Sequence, residues 1–191
     1  MNNVLHQYKN GNLQVTLYDD GTKVRECDED TARPAHPESI DVKITNYCDA
    51  GCAFCHEQST TSGAHGDLVS LAETLSALPA GVEIAIGGGN PLSHPNLVQF
   101  LQTLKAQGLV ANITINQVHL RPYRSLILEL IRRELVRGVG ISYSSPAYLR
   151  DIAPILWETE NVVFHVIMGI NKLSDIDALH TLCDHKGNVY P

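Results

Sequence analysis

The sequence predicts an α/β fold, a partial and open TIM-like parallel barrel of about five βα units with an N-terminal β-hairpin. Three observations predict it. From residue 40 onward, strand-like segments alternate with helix-like segments, the strands alternate apolar and polar residues, and motifs rich in cysteine, glycine or polar residues follow the strands. Strands separated by helices of this length form right-handed βαβ crossovers and therefore a parallel sheet.

The first 37 residues predict a separate small element. Residues 13–25 alternate in hydrophobicity around Asp19-Asp20-Gly21, a turn signal typical of a β-hairpin. Residues 27–37 are rich in acidic residues and proline, which predicts an exposed connector. We therefore expect an N-terminal hairpin and connector over residues 1–37, serving as a lid or a brace, and a core domain over residues 38–191.

The sequence of the core domain predicts strands and helices in regular alternation. The predicted strands are residues 40–45, 82–86, 110–115, 139–143 and 162–167, and the predicted helices are residues 67–78, 95–107, 123–135, 147–156 and 174–183. Gly187 then begins a turn that opens a sixth strand, and the sequence stops there. We expect a fragment or a C-terminally shortened form of the barrel.

The predicted strands are apolar on one face and polar on the other. Ile113 and Ile115, for example, alternate with Thr114 and Asn116. A parallel sheet covered by helices on both faces would be apolar throughout, so we expect helices over one face and a polar lumen along the other. The alternative is an open sheet whose polar face is only solvated.

Three cysteines follow the first core strand within eight residues: Cys48, Cys52 and Cys55. Thiolates this close in one loop can bind the iron atoms of one iron–sulfur cluster, and three protein ligands leave one iron of a four-iron cluster open for chemistry. A structural zinc site is the alternative, since zinc takes four Cys or His ligands. His56 directly follows Cys55, however, and this spacing makes joint ligation of one ion awkward.

The cysteine spacing, with an aromatic residue just before the third cysteine, resembles the cluster loop of the radical S-adenosylmethionine (radical SAM) family. A second motif agrees, because Gly87-Gly88-Gly89-Asn90-Pro91 follows the next apolar strand. The family has a glycine-rich SAM-binding turn at this place, usually with Glu before the Pro, which Asn90 replaces here. The resemblance covers residue 40 to the C-terminus.

The resemblance implies a 4Fe-4S cluster and SAM as cofactors. In this family the amine and carboxylate of SAM bind the open iron, and the reduced cluster cleaves SAM to a 5′-deoxyadenosyl radical that abstracts a substrate hydrogen. Carried onto this sequence, the metal ligands are Cys48, Cys52 and Cys55. The cofactor-binding residues are Phe54 near the adenine, Gly87, Gly88 and Gly89 at the methionyl amine, and Asn90, Asn116 and Ser142 as polar contacts. For Phe54, an ordinary core aromatic is the alternative.

Position in the predicted fold supports these assignments. The cysteine loop, the glycine turn, Asn116 and Ser142 all follow or end strands, and the carboxyl ends of parallel strands meet at the edge where α/β enzymes place their active sites. Cys27 and Cys183 are distant from the loop and are expected to be ordinary thiols. His65, His94 and His119 lie in predicted loops and are expected to be exposed. His165 lies on a strand and is expected to be a hydrogen-bonded core residue, with a position in the lumen as the alternative.

The predicted function is a radical SAM enzyme, and no motif names its substrate. Two other interpretations stay open: a shortened cluster- and SAM-binding domain that needs a partner chain, and a structural zinc-binding module. The expected partners are a reductant such as flavodoxin or ferredoxin, the substrate, and further copies of the chain joined through an uncovered sheet edge.

Composition limits the remaining function classes. The 191 residues are 43% hydrophobic, enough for a core of their own, and the formal charge of −7 argues against a general nucleic-acid or anionic-membrane surface. No signal-like start and no run of about 18 apolar residues is present. Five cysteines, an odd number, argue for a reducing compartment, so a cytoplasmic protein is expected.

Overall fold

The computed structural model describes residues 3–184, which form two β-sheets, five α-helices and three short 3-10 helices. The small sheet is antiparallel and comprises, in spatial order, β1 (Val4–Asn10), β2 (Leu13–Tyr18) and β3 (Lys23–Cys27). The large sheet is parallel and comprises, in spatial order, β4 (Ser39–Thr45), β5 (Glu83–Gly88), β6 (Val110–Asn116), β7 (Gly138–Ser142) and β8 (Val162–His165). The helices are α1 (Leu68–Leu75), α2 (Leu97–Ala106), α3 (Arg124–Arg132), α4 (Leu149–Glu158) and α5 (Leu173–Asp184).

The five parallel strands with helices between them confirm the predicted fold class, a partial TIM-like barrel whose sheet is not closed. Helices α1 and α3 end three residues earlier than predicted. In α1 the chain leaves the helix at Ser76, whose N–H bonds back to Ala72, shortly before Pro79. In α3 it leaves just before Glu134, which has a positive φ of 52° that a helix cannot contain.

One face of the large sheet is buried beneath the helices, as the alternation predicts. Its side chains are fully enclosed and include Ile84, Ile86, Ile113, Ile115 and Ile141. Phe100 and Leu104 of α2 and Ile127 of α3 belong to the same buried cluster. The opposite face carries polar side chains and glycines, and it forms the floor of a cleft described below.

The N-terminal element contains a strand that the sequence does not predict. Residues 13–25 form the predicted hairpin of β2 and β3, but β1 pairs with the other side of β2. Strand β1 lacks a clear alternation because Val4 and Leu5 are apolar yet exposed. Tyr8 and the polar Asn10 are its buried residues, and Asn10 is held by hydrogen bonds to the connector at Ala35 and His36.

The N-terminal sheet covers the end of the barrel at which the parallel strands begin. Lys23 pairs with Glu83 at the start of β5, at 2.6 Å. Arg137, directly before β7, donates hydrogen bonds to the carbonyls of Tyr18 and Asp19 in the β2–β3 turn. Of the two predicted roles, this packing favours a brace over a lid, because the strands' carboxyl ends lie at the other end of the barrel.

The Tyr8 side chain of this brace leads to a first prediction. Its hydroxyl is buried and has no hydrogen-bond partner among residues 3–184, and burial together with Glu38 and Glu83 raises the pKa of Tyr8 to about 12. Because the buried phenol is tolerated only in its neutral form, its titration leaves the free energy of unfolding unchanged below pH 10 and lowers it as the pH rises from 10 towards 12.

We expect Tyr8→Phe to keep or raise the free energy of unfolding at pH 7, by up to about 1 kcal/mol, because it removes an unpaired buried polar group. The variant should also lose less stability than the wild type between pH 10 and pH 12. Urea unfolding at both pH values measures this. A loss of stability at pH 7 would show that the hydroxyl has a partner after all.

Strand β8 is the edge of the large sheet in the described part of the chain. Val163 on this strand and Ile167 just beyond it are 61% and 43% exposed. The predicted turn at Gly187 and the sixth strand lie outside the described residues. Between residues 3 and 184, no helix has both the length and the apolar character that crossing a membrane requires.

Candidate functional site

A cleft of about 700 Å³ opens at the carboxyl ends of the parallel strands. It brings together most of the residues that the sequence singles out: Cys48, Cys52, Phe54, Cys55, Gly87, Gly88, Gly89, Asn116 and Ser142. Asn90 is the one predicted site residue that does not line it. Residues up to 94 positions apart thus meet at one rim, as expected for strands that all point the same way.

Backbone hydrogen bonds fold the cysteine loop back on itself. The Cys48 amide donates to the Thr60 carbonyl at 2.9 Å, and the Asn46 amide donates to the Ala64 carbonyl at the same distance. Within the loop, the Cys55 amide donates to the Cys52 carbonyl at 3.2 Å. The loop is therefore a closed unit anchored beside β4, and its three cysteines are held on one side of it, facing the cleft.

The three loop thiols are partly buried and form no disulfide. Burial raises the pKa of the Cys48 thiol, despite a hydrogen bond from the Ala50 amide, and the Asp49 carboxylate and the other two loop cysteines raise it further. The amide nitrogen of Asn116 lies 3.4 Å from the Cys52 sulfur, within hydrogen-bond range for sulfur. A cation bound at Cys48 would favour loss of its thiol proton, because a metal ligand must be deprotonated.

Cys27 and Cys183 lie away from this loop. Cys27 ends β3 in the small sheet, and Cys183 is buried near the end of α5. Neither cysteine lines the cleft. Their positions agree with the expectation that they are ordinary thiols.

Phe54 lies in the cleft wall with 49% of its surface exposed. The core-aromatic alternative for this residue is wrong, because a core aromatic would be enclosed by side chains. An exposed ring beside three thiols offers a flat apolar surface to a planar ligand.

The three glycines of the glycine turn have different surroundings. A Cβ on Gly87 would meet no atom within 4 Å, so this residue faces open space in the cleft. A Cβ on Gly88, which has a φ of +121°, would lie 2.4 Å from the Thr45 carbonyl oxygen. On Gly89 it would lie 2.2 Å from the Tyr47 carbonyl oxygen. Gly88 and Gly89 therefore let the turn pack against the start of the cysteine loop, and Gly87 leaves room for a ligand.

The side chain of Asn90 is fully buried and points away from the cleft. Its amide nitrogen donates to Asp49 Oδ1 at 3.3 Å, and its backbone N–H donates to the Tyr47 carbonyl at 2.7 Å. Asn90 therefore contacts the cysteine loop from behind, whereas the sequence assigns it a contact with SAM.

Two histidines that the sequence places in exposed loops are buried, so that expectation is wrong for them. His94 is 5% exposed, and its ring bonds to the Gly66 carbonyl and to the Asn96 amide. His119 is 2% exposed and its Nε2 atom lies 2.8 Å from Asp49 Oδ1. Each histidine has partners distant in sequence, which no local pattern reveals.

The Asp49–His119 contact lies directly beside Cys48. Burial would raise the pKa of Asp49, but hydrogen bonds from its own backbone and from His119 lower it overall. Burial lowers the pKa of His119, and its bond to Asp49 only partly opposes this shift. One ligand atom from each of Cys48, Asp49 and His119 lies within 4.8 Å of the others, which makes these three residues a geometric candidate for a metal ion.

The floor of the cleft carries charged residues that the sequence interpretation missed. Asp41 and Lys43 project from β4, and Lys43 forms an ion pair with Glu57 of the cysteine loop. His165 of β8 is exposed here, although the sequence favours a core position for it. The alternation within β4 places Asp41 and Lys43 on the polar face, and this was the signal that could have identified them.

A second cleft of about 690 Å³ lies at the opposite end of the barrel, between the N-terminal sheet and the beginnings of the strands. Leu5, His6, Leu135 and Arg137 are among its lining residues, and it contains no cysteine. The chemistry suggested by the sequence motifs is therefore confined to the first cleft.

Comparison with known proteins finds a likeness in structure alone. No protein-family profile matches the sequence, and no curated protein matches it. Among solved structures, the fold is similar to SuiB of Streptococcus suis in its crystal structure with the precursor peptide SuiA bound, with a TM-score of 0.65 and 13% sequence identity. The alignment covers 81% of this chain but only 38% of SuiB, and at this identity the likeness concerns the fold.

Proposed function

We propose that this protein is a radical SAM enzyme that binds a 4Fe-4S cluster through Cys48, Cys52 and Cys55 and reductively cleaves SAM. The observation that carries the proposal is that three unpaired thiols and the open face of Gly87 line one cleft at the carboxyl ends of a parallel sheet. The radical SAM-like fold adds support, since it is the fold in which this combination is expected.

The residues present fit the proposed cofactors. Iron–sulfur clusters are held by Cys thiolates, and three thiols on one closed loop supply the donors for three of four irons. The space beside Gly87 opens into the same cleft as the three thiols, so a molecule bound there would lie next to the residues that would hold the cluster. SAM has both a planar adenine and charged methionyl groups, and the exposed Phe54 ring and the polar ends of β6 and β7 suit these parts.

When bound, a reduced four-iron cluster supplies the single electron that cleaves the sulfonium of SAM into methionine and a 5′-deoxyadenosyl radical. The protein itself would position SAM, tune the reduction potential of the cluster and exclude side reactions. The Asn116 amide would donate to the Cys52 sulfur, and hydrogen bonds to cluster sulfurs raise the reduction potential. Ser142, opposite Asn116 in the β6–β7 register, would provide a polar contact to SAM.

We extend the proposal to the partners. An external one-electron donor such as flavodoxin or ferredoxin would reduce the cluster, and the unpaired thiols suit the reducing cytoplasm. The substrate would bind over the polar floor, near Asp41, Lys43 and His165. A peptide is the first substrate class to test, because SuiB has a precursor peptide bound.

Anaerobic reconstitution with iron and sulfide tests this function. We expect about four iron atoms per chain and an electron paramagnetic resonance signal of the reduced cluster that changes when SAM is added. S-adenosylhomocysteine keeps the amine and carboxylate but is a thioether without the sulfonium, so it is the matched control for cleavage and should yield no deoxyadenosine. A chain that takes up one zinc ion and no cluster under these conditions would support the zinc-module interpretation instead.

A second candidate function is a cluster- and SAM-binding domain that acts together with a partner chain. Within residues 3–184, strand β8 is an edge strand that no further strand pairs with, and this favours the second candidate, since unpaired strand edges and exposed apolar residues such as Val163 and Met168 invite association. Size-exclusion chromatography of the reconstituted protein tests this candidate. A monomer that turns over SAM at a substrate-dependent rate would rule it out.

A further inference from the structure

Two buried side chains hold one carboxylate in the cysteine loop. Asp49 directly follows Cys48, and its Oδ1 atom lies 2.8 Å from His119 Nε2 and 3.3 Å from Asn90 Nδ2. His119 and Asn90 are 2% and 0% exposed, whereas about half of the Asp49 side chain reaches solvent. Asp49 therefore lies between the solvent and the two buried hydrogen-bond donors, His119 and Asn90.

These three residues come from three different parts of the site. Asp49 belongs to the cysteine loop, Asn90 follows the glycine turn after β5, and His119 lies in the short 3-10 turn after β6. The Asn90 backbone also donates to the Tyr47 carbonyl, one residue before Cys48. Bonds to Asp49 therefore fix the first cysteine of the loop relative to two neighbouring strands.

We propose that Asn90 and His119 form a clamp on Asp49 that positions Cys48 for cluster binding. The proposal rests on the proposed function in one respect, because it assumes that Cys48 is a cluster ligand. The clamp is a positioning device, since none of its three side chains lines the cleft in which SAM would bind.

The clamp gives a reason for Asn at position 90. Because the side chain at this position is enclosed against Asp49, a carboxylate there would place two like charges side by side in a partly buried site. The Asn amide instead donates to the Asp49 carboxylate, and bonds to a charged acceptor are about twice as strong as neutral ones. Asn90 therefore supplies the hydrogen-bond donor, and Asp49 the charged acceptor, of one partly buried contact.

A mononuclear metal at Cys48, Asp49 and His119 is the competing interpretation of the same geometry. A metal on His119 Nε2 would displace the proton to Nδ1, and a metal-bound histidine normally donates that N–H to an acceptor. His119 Nδ1 is buried and has no partner among residues 3–184. The ring is therefore better suited to donate its Nε2–H to Asp49 than to bind an ion.

Asn90→Asp tests the clamp at constant side-chain volume. We expect the iron affinity of this variant to fall by about tenfold or more. This is the range of loss in metal affinity that follows when residues that orient metal ligands are replaced. Adding Asp49→Asn restores a donor–acceptor pair with the roles exchanged and should recover most of the loss. Asn96→Asp, which adds the same charge at an exposed position, is the control and should bind iron as the wild type does.

Alkylation of the metal-free protein, located by tandem mass spectrometry, gives a readout that does not need the cluster. Rates are compared at a pH high enough to ionise Cys48 fully, because a second carboxylate nearby lowers the thiolate fraction at neutral pH. Under these conditions we expect Cys48 to react several-fold faster in Asn90→Asp, where the released loop exposes the thiol, and at the wild-type rate in the double variant, with similar thermal midpoints in all three proteins. If the wild type binds no iron, the proposed function fails, while the alkylation rates still test the clamp.

Two results would overturn the clamp. Unchanged iron binding and Cys48 reactivity in Asn90→Asp, with tighter SAM binding, would make residue 90 a SAM contact. Zinc binding by the metal-free protein that is lost in His119→Ala but kept in Cys52→Ala would make the three residues a metal site.

Discussion

Replacing any one of Cys48, Cys52 or Cys55 by Ala is expected to reduce bound iron from about four atoms per chain to background after anaerobic reconstitution. Each thiol would supply the sole protein ligand to one iron, so a missing sulfur leaves an iron without a protein anchor. All three face the same cleft, and no other cysteine lines it. Iron and sulfide analysis of the purified variants measures the effect.

Cys27→Ala and Cys183→Ala are the matched controls, since each also removes one thiol. Both should retain the full cluster, because these residues lie in β3 and α5, away from the cleft. A full cluster in a loop variant, combined with its loss in either control, would show that the ligand assignment is wrong.

The second large effect is expected at the glycine turn, where neighbouring positions should respond differently. Gly87→Val should keep the cluster and the thermal midpoint but weaken SAM binding tenfold or more, equivalent to about 1.4 kcal/mol. The reason is that the new side chain enters space that is open in the cleft, while β-branched residues suit a strand.

Gly88→Val should instead impair folding and cluster binding. A side chain at this φ of +121° is strained by about 1–3 kcal/mol, and its Cβ would overlap the Thr45 carbonyl that leads into the cysteine loop. Anaerobic calorimetry with SAM, together with iron analysis and thermal unfolding, separates the two effects. Equal SAM affinity in Gly87→Val and wild type would remove this residue from the SAM site.

The fold and the rim of the site could be predicted because their signals are local. Alternation of apolar and polar residues marks the five strands, and parallel strands necessarily bring their carboxyl ends together. The cysteine loop and Gly87 are therefore predictable as neighbours, although they are about 40 residues apart along the chain. Strand β1 escaped prediction because its exposed Val4 and Leu5 break the pattern.

The contacts of Asp49 with Asn90 and His119, which lie outside the cleft, could not be predicted in the same way. Asp49 and His119 are 70 positions apart; Asp49 lies between two cysteines of the cysteine loop, and His119 belongs to no motif or periodic segment. Asn90 does lie in a motif, but the direction of its side chain depends on how closely Gly88 and Gly89 let the turn approach the loop. Such distances follow from tertiary packing and not from spacing along the sequence.

The most direct test of the central claim is the formation of 5′-deoxyadenosine from SAM by the reconstituted protein under dithionite, measured by mass spectrometry. We predict deoxyadenosine and methionine in equal amounts, and neither product from Cys52→Ala treated in parallel. A wild-type protein that carries a full cluster and binds SAM, yet forms no more deoxyadenosine than Cys52→Ala, would contradict the assignment as a radical SAM enzyme.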